Sequence, residues 1–201
     1  MTPYPTFDVA AVATCIQGGG VVLLPTDTVY GLAVSPLRAD AVERLLKLKN
    51  RPITHKLPIM LADPSGLEGL GAIVTPDAQR LLASEYMPGP MTLALGVDTA
   101  NAPPWLSDRV EFAIRIPAHD ALLNVLKRTG PLFVTSANYH GKPTPNNVKD
   151  VLAQLDGAPD MAIDTGILNV TPSTLINCNM TPTTIEREGM VKRSQVESIL
   201  E

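Results

Sequence analysis

The chain has 201 residues, of which 45% are hydrophobic and 18% charged, and its formal net charge is −4. This balance excludes a disordered chain, and the acidic excess argues against a protein whose main surface grips a nucleic-acid backbone. No apolar run reaches the roughly 18 residues of a membrane span, the N-terminus lacks a signal-peptide pattern, and two cysteines form neither a disulfide framework nor a metal motif. We therefore expect one soluble, cytoplasmic domain over residues 1–201.

The first part of the chain predicts alternating helices and strands. Residues Phe7–Gln17 are compatible with a helix that has Thr6 as its N-cap. The apolar run Val21–Leu24, preceded by glycines and closed by a proline, is typical of a buried strand. Asp40–Lys49 carries apolar residues at helical spacing and gathers basic residues near its C-terminal end, where they favour the helix dipole. Leu57–Leu61 is predicted as a further strand, at an edge or irregular because a proline interrupts it.

The rest of the chain continues this pattern with shorter elements. Thr75–Pro76 predicts the start of a helix that runs to about Glu85, and Ser194 with Glu197 predicts a capping box for a last helix. The other helices are predicted at Asp120–Arg128 and around Val148–Leu155. The other strands are predicted within Met87–Leu95, Val110–Ile116, Leu132–Val134, Met161–Asp164, Ser173–Asn177 and Thr183–Arg187. Because strands and helices interleave without strict alternation, we expect a single α/β domain with a mixed sheet.

Polar and cationic side chains follow several of these elements. Lys49 and Arg51 bracket a helix end, and Ser136 with Asn138 closes a strand. Similar groups follow other elements at Thr26–Tyr30, Lys56, Arg115 and Arg187. Arginine offers a planar fork of donors to a carboxylate or phosphate, and lysine offers a compact charge. The pattern predicts a site for a nucleotide and a carboxylate, and the alternative is that each cation is an ordinary solvated surface charge.

The usual nucleotide-binding motifs are absent from the sequence. No G-x-G-x-x-G follows a predicted strand, and the segment Ser136–Pro143 resembles a Walker A loop only in its Gly141–Lys142 pair. The residues alone therefore leave two alternatives: a protein that does not bind ATP, or one that binds it by another architecture. The scattered histidines, His55, His119 and His140, are interpreted as surface or loop residues.

Seven segments, taken in order, resemble the YrdC-like threonylcarbamoyl-AMP synthases. They are PTDTVYGLA (25–33), KLKNRP (47–52), MPGPMTLAL (87–95), FAIRIPAH (112–119), FVTSANYHGKPTP (133–145), PSTLI (172–176) and IEREG (185–189). The resemblance extends from about Gly18 to Gly189 and is to the short, single-domain form of the family. It implies a twisted sheet of parallel and antiparallel strands flanked by helices.

The resemblance also implies a reaction. Members of this family are nucleotidyltransferases that condense L-threonine, bicarbonate and ATP to threonylcarbamoyl-AMP and pyrophosphate. Separate transfer proteins then pass the product to adenosine 37 of tRNAs that read ANN codons. Attack of a carbamate oxygen on the α-phosphate needs no protein nucleophile, so catalysis would depend on positioning and charge neutralisation. Magnesium would be carried by the ATP phosphates, with no metal site of the protein's own.

Site residues follow from the same match. The family's K-x-R and S-x-N signatures match Lys49, Arg51, Ser136 and Asn138, which the resemblance assigns to the triphosphate and its magnesium as the catalytic set. Further nucleotide contacts are assigned to Lys56, Thr92, Thr144 and Arg187. The threonine is assigned to Thr26, Thr28, Arg115 and Ser173, with Arg115 as the partner of its carboxylate. The turn-rich segment Lys142–Asn147 and the C-terminal tail are predicted to cover a water-labile intermediate.

Two other hypotheses remain beside this enzyme. One is an RNA-binding module that uses a concave basic surface, although the acidic balance and the shortage of interleaved aromatics argue against it. The other is a paralogue of the same superfamily that transfers carbamoyl groups or has lost its activity. The intact K-x-R and S-x-N pairs argue against a lost activity. Direct contact between this chain and tRNA is left open.

Overall fold

The computed structural model describes residues 1–52, 54, 56–168 and 171–201, so the predicted position of His55 lies outside the described residues. The helices are Val9–Gln17 (α1), Ala39–Leu48 (α2), Pro76–Leu82 (α3), Asp120–Thr129 (α4), Val148–Gln154 (α5) and Arg193–Leu200 (α6). The strands are Val22–Leu24 (β1), Gly31–Val34 (β2), Ile59–Met60 (β3), Ala72–Ile73 (β4), Met91–Val97 (β5), Glu111–Arg115 (β6), Leu132–Ser136 (β7), Met161–Ala162 (β8), Thr174–Asn177 (β9) and Thr184–Arg187 (β10). Short 3₁₀ segments occupy Pro64–Leu70 and Pro104–Leu106.

All ten strands formed by the described residues belong to one sheet. Nine of them follow the order β10-β9-β5-β6-β3-β7-β2-β1-β8, and β4 pairs with β5. The pairs β1–β8, β3–β6 and β5–β9 are parallel, and the remaining pairs are antiparallel. The predicted α/β fold with a mixed sheet flanked by helices is therefore confirmed. No helix within the described ranges is long and apolar enough to cross a bilayer.

Two helix starts differ from the sequence-based prediction. The N-cap of α1 is Asp8, not Thr6, because the Asp8 carboxylate accepts hydrogen bonds of 2.8 and 3.0 Å from two amides of the first turn. The predicted capping box at Ser194 is wrong, because α6 begins one residue before it. The backbone N–H of Lys192 instead donates to the Gln195 side-chain oxygen at 2.7 Å. In α1 the cap side chain therefore satisfies two amides of the first turn, and in α6 a side chain of the first turn satisfies the amide of the N-cap residue.

Strand β3 lies in the centre of the sheet, where the sequence predicted an edge or an irregular strand over Leu57–Leu61. It is only two residues long and sits between β6 and β7. Pro58 immediately precedes it, and the Pro58 carbonyl accepts a 3.1 Å hydrogen bond from the Val134 amide. Pro58 has no N–H to donate, but its carbonyl still pairs with β7. The proline therefore limits the length of β3 and does not prevent this strand from lying in the centre of the sheet.

The helices cover the two faces of the sheet unequally. Helices α1 and α4 pack on one face through Val12, Ile16, Leu122, Val125 and Leu126, against strands β1, β2, β3 and β7. The opposite face forms the larger cluster, which includes apolar residues of α2, α3, α5 and α6. Side chains alternate along a strand, so Leu93 and Leu95 of β5 point into the larger cluster while Thr92 and Ala94 point away from it. Thr92 and Ala94 line an open cavity.

Candidate active site

The cavity has a volume of about 980 Å³ and lies against strands β5, β6, β7 and β9. Alternate residues of two strands form part of its wall: Thr92 and Ala94 from β5, and Ala113 and Arg115 from β6. It also brings together eleven of the twelve residues that the sequence assigns to the site, namely Thr26, Thr28, Arg51, Lys56, Thr92, Arg115, Ser136, Asn138, Thr144, Ser173 and Arg187. Segments far apart in the chain therefore meet at one site.

The cavity wall is cationic although the whole chain is acidic. Its charged lining residues are the cations Arg51, Lys56, Arg109, Arg115, Lys142 and Arg187 and the acids Glu111 and Glu186. Cations that share a cleft with low-dielectric walls focus their field there and raise the local concentration of anions. This distribution suits a ligand with several negative charges.

Lys49 is the one predicted residue that does not line the cavity. Its side chain is fully buried, and its ammonium donates to the Ser136 carbonyl, to the Asn138 carbonyl at 2.8 Å and to the Asn138 side-chain oxygen at 3.2 Å. Burial, and secondarily the charge of Arg51, lower the pKa of Lys49 to about 7. In this geometry Lys49 holds the segment with Ser136 and Asn138 in place by hydrogen bonds to its carbonyls and does not line the cavity itself. We therefore describe Lys49 as a positioning residue.

Asn138 connects that segment to the loop that follows it. The Ser136 hydroxyl donates to the Asn138 side-chain oxygen at 2.5 Å, and the Asn138 amide donates to the carbonyls of Tyr139 and Lys142 at 2.9 and 2.7 Å. The Thr144 hydroxyl lies 3.4 Å from the same side-chain oxygen. These bonds fold the loop back over β7 so that Ser136, Lys142 and Thr144 all line the cavity.

Two predicted nucleotide-binding cations lie in the segment between α2 and β3. Arg51 donates to the Thr135 hydroxyl at 3.4 Å and to the Lys56 carbonyl at 3.1 Å, and burial lowers its pKa. The Lys56 ammonium is paired with Asp108 at an exposed position. A surface pair of this kind is weak, so Lys56 is free to exchange its carboxylate partner for an incoming anion.

Arg115 occupies the end of β6 and is almost completely buried. Its guanidinium donates to the Gly89 carbonyl at 3.1 Å, to the Thr28 hydroxyl at 2.7 Å and to the Asp27 carboxylate at 2.7 Å. The Thr26 hydroxyl donates to the Val29 carbonyl at 2.7 Å and lies 3.1 Å from the Thr28 hydroxyl. Burial lowers the pKa of Arg115, and the Asp27 charge opposes that shift. The Arg115 guanidinium is thus held in one orientation at the cavity wall.

Ser173 joins the two predicted halves of the site. Its hydroxyl lies 2.7 Å from the Thr92 hydroxyl, and its carbonyl accepts two bonds from Arg187, at 2.8 and 3.2 Å. The charge of Arg115 contributes to lowering the pKa of Arg187, although burial is the larger cause. The residues assigned to threonine and those assigned to the nucleotide therefore form one continuous wall.

Sequence reasoning assigned no contact in the site to three charged residues of this region. Asp27 stands between two predicted threonines, and its pairing with Arg115 joins residues 88 positions apart. Lys142 lines the cavity, whereas the sequence indicates only a Walker-like pair and a covering segment at its position. Arg109 precedes β6 in a stretch with no periodicity. The adjacency of Asp27 to Thr26 and Thr28 was an available signal, whereas nothing local to Arg109 distinguishes it from a surface cation.

Comparisons with known proteins agree with this arrangement. The model of the Sua5–YciO–YrdC family, described as "Telomere recombination", matches residues 14–189. A Bacillus subtilis protein named threonylcarbamoyl-AMP synthase is 31% identical over 96% of this chain and 56% of its own length. A Xanthomonas campestris protein of the same name is 36% identical over 81% of this chain and 89% of its own length.

A solved structure gives the same result at the level of the fold. The crystal structure of Pyrococcus abyssi Sua5 complexed with L-threonine superposes with a TM-score of 0.84, at 31% identity over 96% of this chain and 57% of that one. The chain thus spans a little over half the length of the Bacillus and Pyrococcus proteins. From the family match over most of its residues and from the shared fold, the chain belongs to the Sua5–YciO–YrdC family.

Proposed function

We propose that this chain is an L-threonylcarbamoyladenylate synthase, which joins L-threonine, bicarbonate and ATP into threonylcarbamoyl-AMP with release of pyrophosphate. The observation that carries the proposal is the continuous wall that links Arg115 and Thr28 to Ser136, Asn138 and the cations around them. It offers a carboxylate partner and a polyphosphate site in one cavity. The names of the Bacillus and Xanthomonas relatives and the threonine complex of the Pyrococcus protein support the same assignment.

The proposed chemistry has two bond-forming steps. The threonine amine and bicarbonate form a carbamate, with a new N–C bond and loss of one water. A carbamate oxygen then attacks the α-phosphorus of ATP, and the bond to the bridging oxygen breaks so that pyrophosphate leaves with its electron pair. The substrate supplies the nucleophile, so the protein needs only to align the reactants and stabilise the charge that develops on the leaving group.

The polyphosphate end of the site consists of the Ser136–Asn138 segment and the cations beside it. Arg51 and Lys142 line the cavity next to that segment and would take phosphate oxygens. Each charge-assisted hydrogen bond contributes about 1.5–3 kcal/mol. Lys49 would act by holding Ser136 and Asn138 in place rather than by touching phosphate. Thr92, Thr144 and Arg187 complete the proposed nucleotide contacts.

The donor set at the cavity fits magnesium that arrives with the nucleotide. The described residues contain no group of three or more His, Cys, Asp or Glu side chains placed to hold a metal ion. The hydroxyls of Ser136 and Thr144, which are neutral oxygen donors, line the cavity instead and would complete the shell of a magnesium held by phosphates. When bound, the ion would neutralise charge on the phosphates and on the leaving pyrophosphate.

The threonine end of the site is built around Arg115. Its guanidinium is fixed by Gly89, Thr28 and Asp27, so it would meet the threonine carboxylate without reorganising. Ser173 lines the same part of the wall and supplies a hydroxyl. The proposal also includes transfer of the product to the tRNA threonylcarbamoyl-transfer proteins. It includes a cytoplasmic location as well, because the adenylate is made from ATP and is used to modify tRNA.

The test is the release of pyrophosphate from ATP and magnesium, measured with each substrate omitted in turn and with the adenylate product identified by mass. The proposal predicts release that requires both threonine and bicarbonate. Arg115→Gln should lose threonine-dependent release and still bind ATP. Turnover with carbamoyl phosphate in place of threonine and bicarbonate would contradict the proposal and favour carbamoyl transfer. Binding of unmodified tRNA without any release would favour an RNA-binding module.

A further inference from the structure

Arg109 is a buried arginine of the cavity wall, and no local pattern in the sequence indicates a role for it. It is 7% exposed and lines the cavity just before β6. One guanidinium nitrogen donates to the Leu57 carbonyl at 2.9 Å. The guanidinium carbon lies 5.0 Å from the centre of the Phe133 ring, and Trp105 packs edge-on against that ring at 5.4 Å. The side chain is therefore anchored at one nitrogen and on one face.

The same side chain leaves part of its donor capacity unused. Among the described residues, the buried side-chain atoms without a hydrogen-bond partner are Asp27 Oδ2, Arg51 Nε and Arg109 Nε. A buried donor without a partner is costly, so a native site that retains one calls for an explanation. Arg51 and Arg109 both line the cavity, and Asp27 is bonded to Arg115, which also lines it. These unpartnered atoms thus gather around one cavity.

Arg51 and Arg109 are anchored to the same backbone segment. Arg51 donates to the Lys56 carbonyl and Arg109 to the Leu57 carbonyl, which are consecutive along the backbone. Arg51 uses Nη2 for that anchor and Arg109 uses Nη1, and in both residues the Nε has no partner. A guanidinium edge can bind phosphate with two parallel hydrogen bonds, and Arg109 keeps the edge formed by Nε and Nη2, whereas both terminal nitrogens of Arg51 already have an acceptor. Two anchored arginines beside one backbone segment form a natural receptor for a single phosphate-bearing group.

We propose that Arg109 is a further phosphate-binding residue, which acts with Arg51 as a two-arginine clamp on the pyrophosphate portion of the nucleotide. This inference rests on the proposed function, because it assigns a residue of this chain to the polyphosphate end of that site. The N–H groups that the backbone anchors leave free would donate to phosphate oxygens. The Phe133 face and the Leu57 carbonyl would hold Arg109 in the binding orientation, so little side-chain freedom is lost on binding.

The test uses calorimetric binding of inorganic pyrophosphate, ATP and L-threonine, each measured separately. Arg109→Lys keeps the positive charge but loses the planar fork, and it should weaken pyrophosphate and ATP binding by about tenfold while threonine affinity stays unchanged. Phe133→Leu keeps an apolar side chain but removes the aromatic face, and it should weaken pyrophosphate binding less. Arg80→Lys is the matched control, since Arg80 is bonded to Asp77 and the Leu200 carbonyl and does not line the cavity.

The outcomes separate this inference from the proposed function. If the unmodified chain binds pyrophosphate and Arg109→Lys binds it equally well, Arg109 is a packing residue and the inference is overturned while the proposed function stands. If the unmodified chain binds neither ATP nor pyrophosphate, both fail. A lower unfolding temperature of Arg109→Lys with unchanged pyrophosphate affinity also overturns the clamp. Weakened pyrophosphate binding with intact threonine binding supports it.

Discussion

The buried ion pair between Arg115 and Asp27 allows stability and function to be separated at one position. The two side chains are 7% and 11% exposed, and their nearest atoms are 2.7 Å apart. At an effective dielectric constant of about 20, unit charges about 4 Å apart attract by about 4 kcal/mol. Removing one member of such a pair costs about 3–5 kcal/mol, because the other charge stays buried without compensation. Removing both leaves no unpaired charge.

Three variants therefore form a cycle. Asp27→Asn should lower the free energy of unfolding by about 3 kcal/mol, the lower end of the range, since the amide oxygen still accepts a hydrogen bond from Arg115. Arg115→Gln should cost about 3–5 kcal/mol, and the double variant less than about 2 kcal/mol. For a chain of this size, 3 kcal/mol corresponds to a decrease of about 6–12 °C in the unfolding temperature.

Threonine binding should follow a different order. Arg115→Gln and the double variant should lose about 10- to 100-fold in threonine affinity, because each loses the charged fork. Asp27→Asn should retain threonine binding although it is less stable than the double variant. Urea unfolding and calorimetric titration with threonine measure the two quantities separately. Additive costs in the unfolding experiment, or threonine affinity that simply follows stability, would refute the reasoning.

Three further predictions concern the phosphate end of the site, the packing next to it and the metal. Burial lowers the pKa of Lys49 to about 7, and a bound triphosphate would raise it. ATP binding near neutral pH should therefore take up protons, seen as a buffer-dependent binding enthalpy that Lys49→Met reduces. Thr174→Val should lower the free energy of unfolding by about 2–4 kcal/mol without changing the urea slope, because the Thr174 hydroxyl bonds Gly189 and Val191. Thr174→Ser keeps the hydroxyl and should cost only about 1 kcal/mol, from the loss of a buried methyl group. Excess EDTA should stop pyrophosphate release and leave threonine binding intact; release that continues would contradict the role given to magnesium.

Local patterns in the sequence predict the strands and the polar groups at their ends. The apolar run at residues 132–134 and the hydroxyl and amide that follow it predict β7 and the Ser136–Asn138 segment, and the structure has both there. The Thr75 N-cap is also confirmed, since its hydroxyl accepts from the Ala78 amide at 3.2 Å. These features depend on residues a few positions apart, so a single sequence carries enough information to find them.

Long-range placement is what the sequence does not reveal. The pattern around Pro58 indicates a weak strand, but the central position of β3 depends on its pairing with β6 and β7. Lys49 follows a helix end like any surface cation, yet its ammonium faces the carbonyls of a segment 87 and 89 residues away. The roles assigned to the site residues remain predictions, because they concern contacts with substrates.

The most direct test of the central claim is the fate of labelled bicarbonate. The protein is incubated with ATP, magnesium, L-threonine and ¹³C-bicarbonate, and the nucleotide product is analysed by mass as pyrophosphate is released. The account predicts an adenylate that contains threonine and carries one ¹³C atom, formed in equal amount with pyrophosphate. Pyrophosphate release with plain AMP as the nucleotide product, or an adenylate without the label, would contradict it.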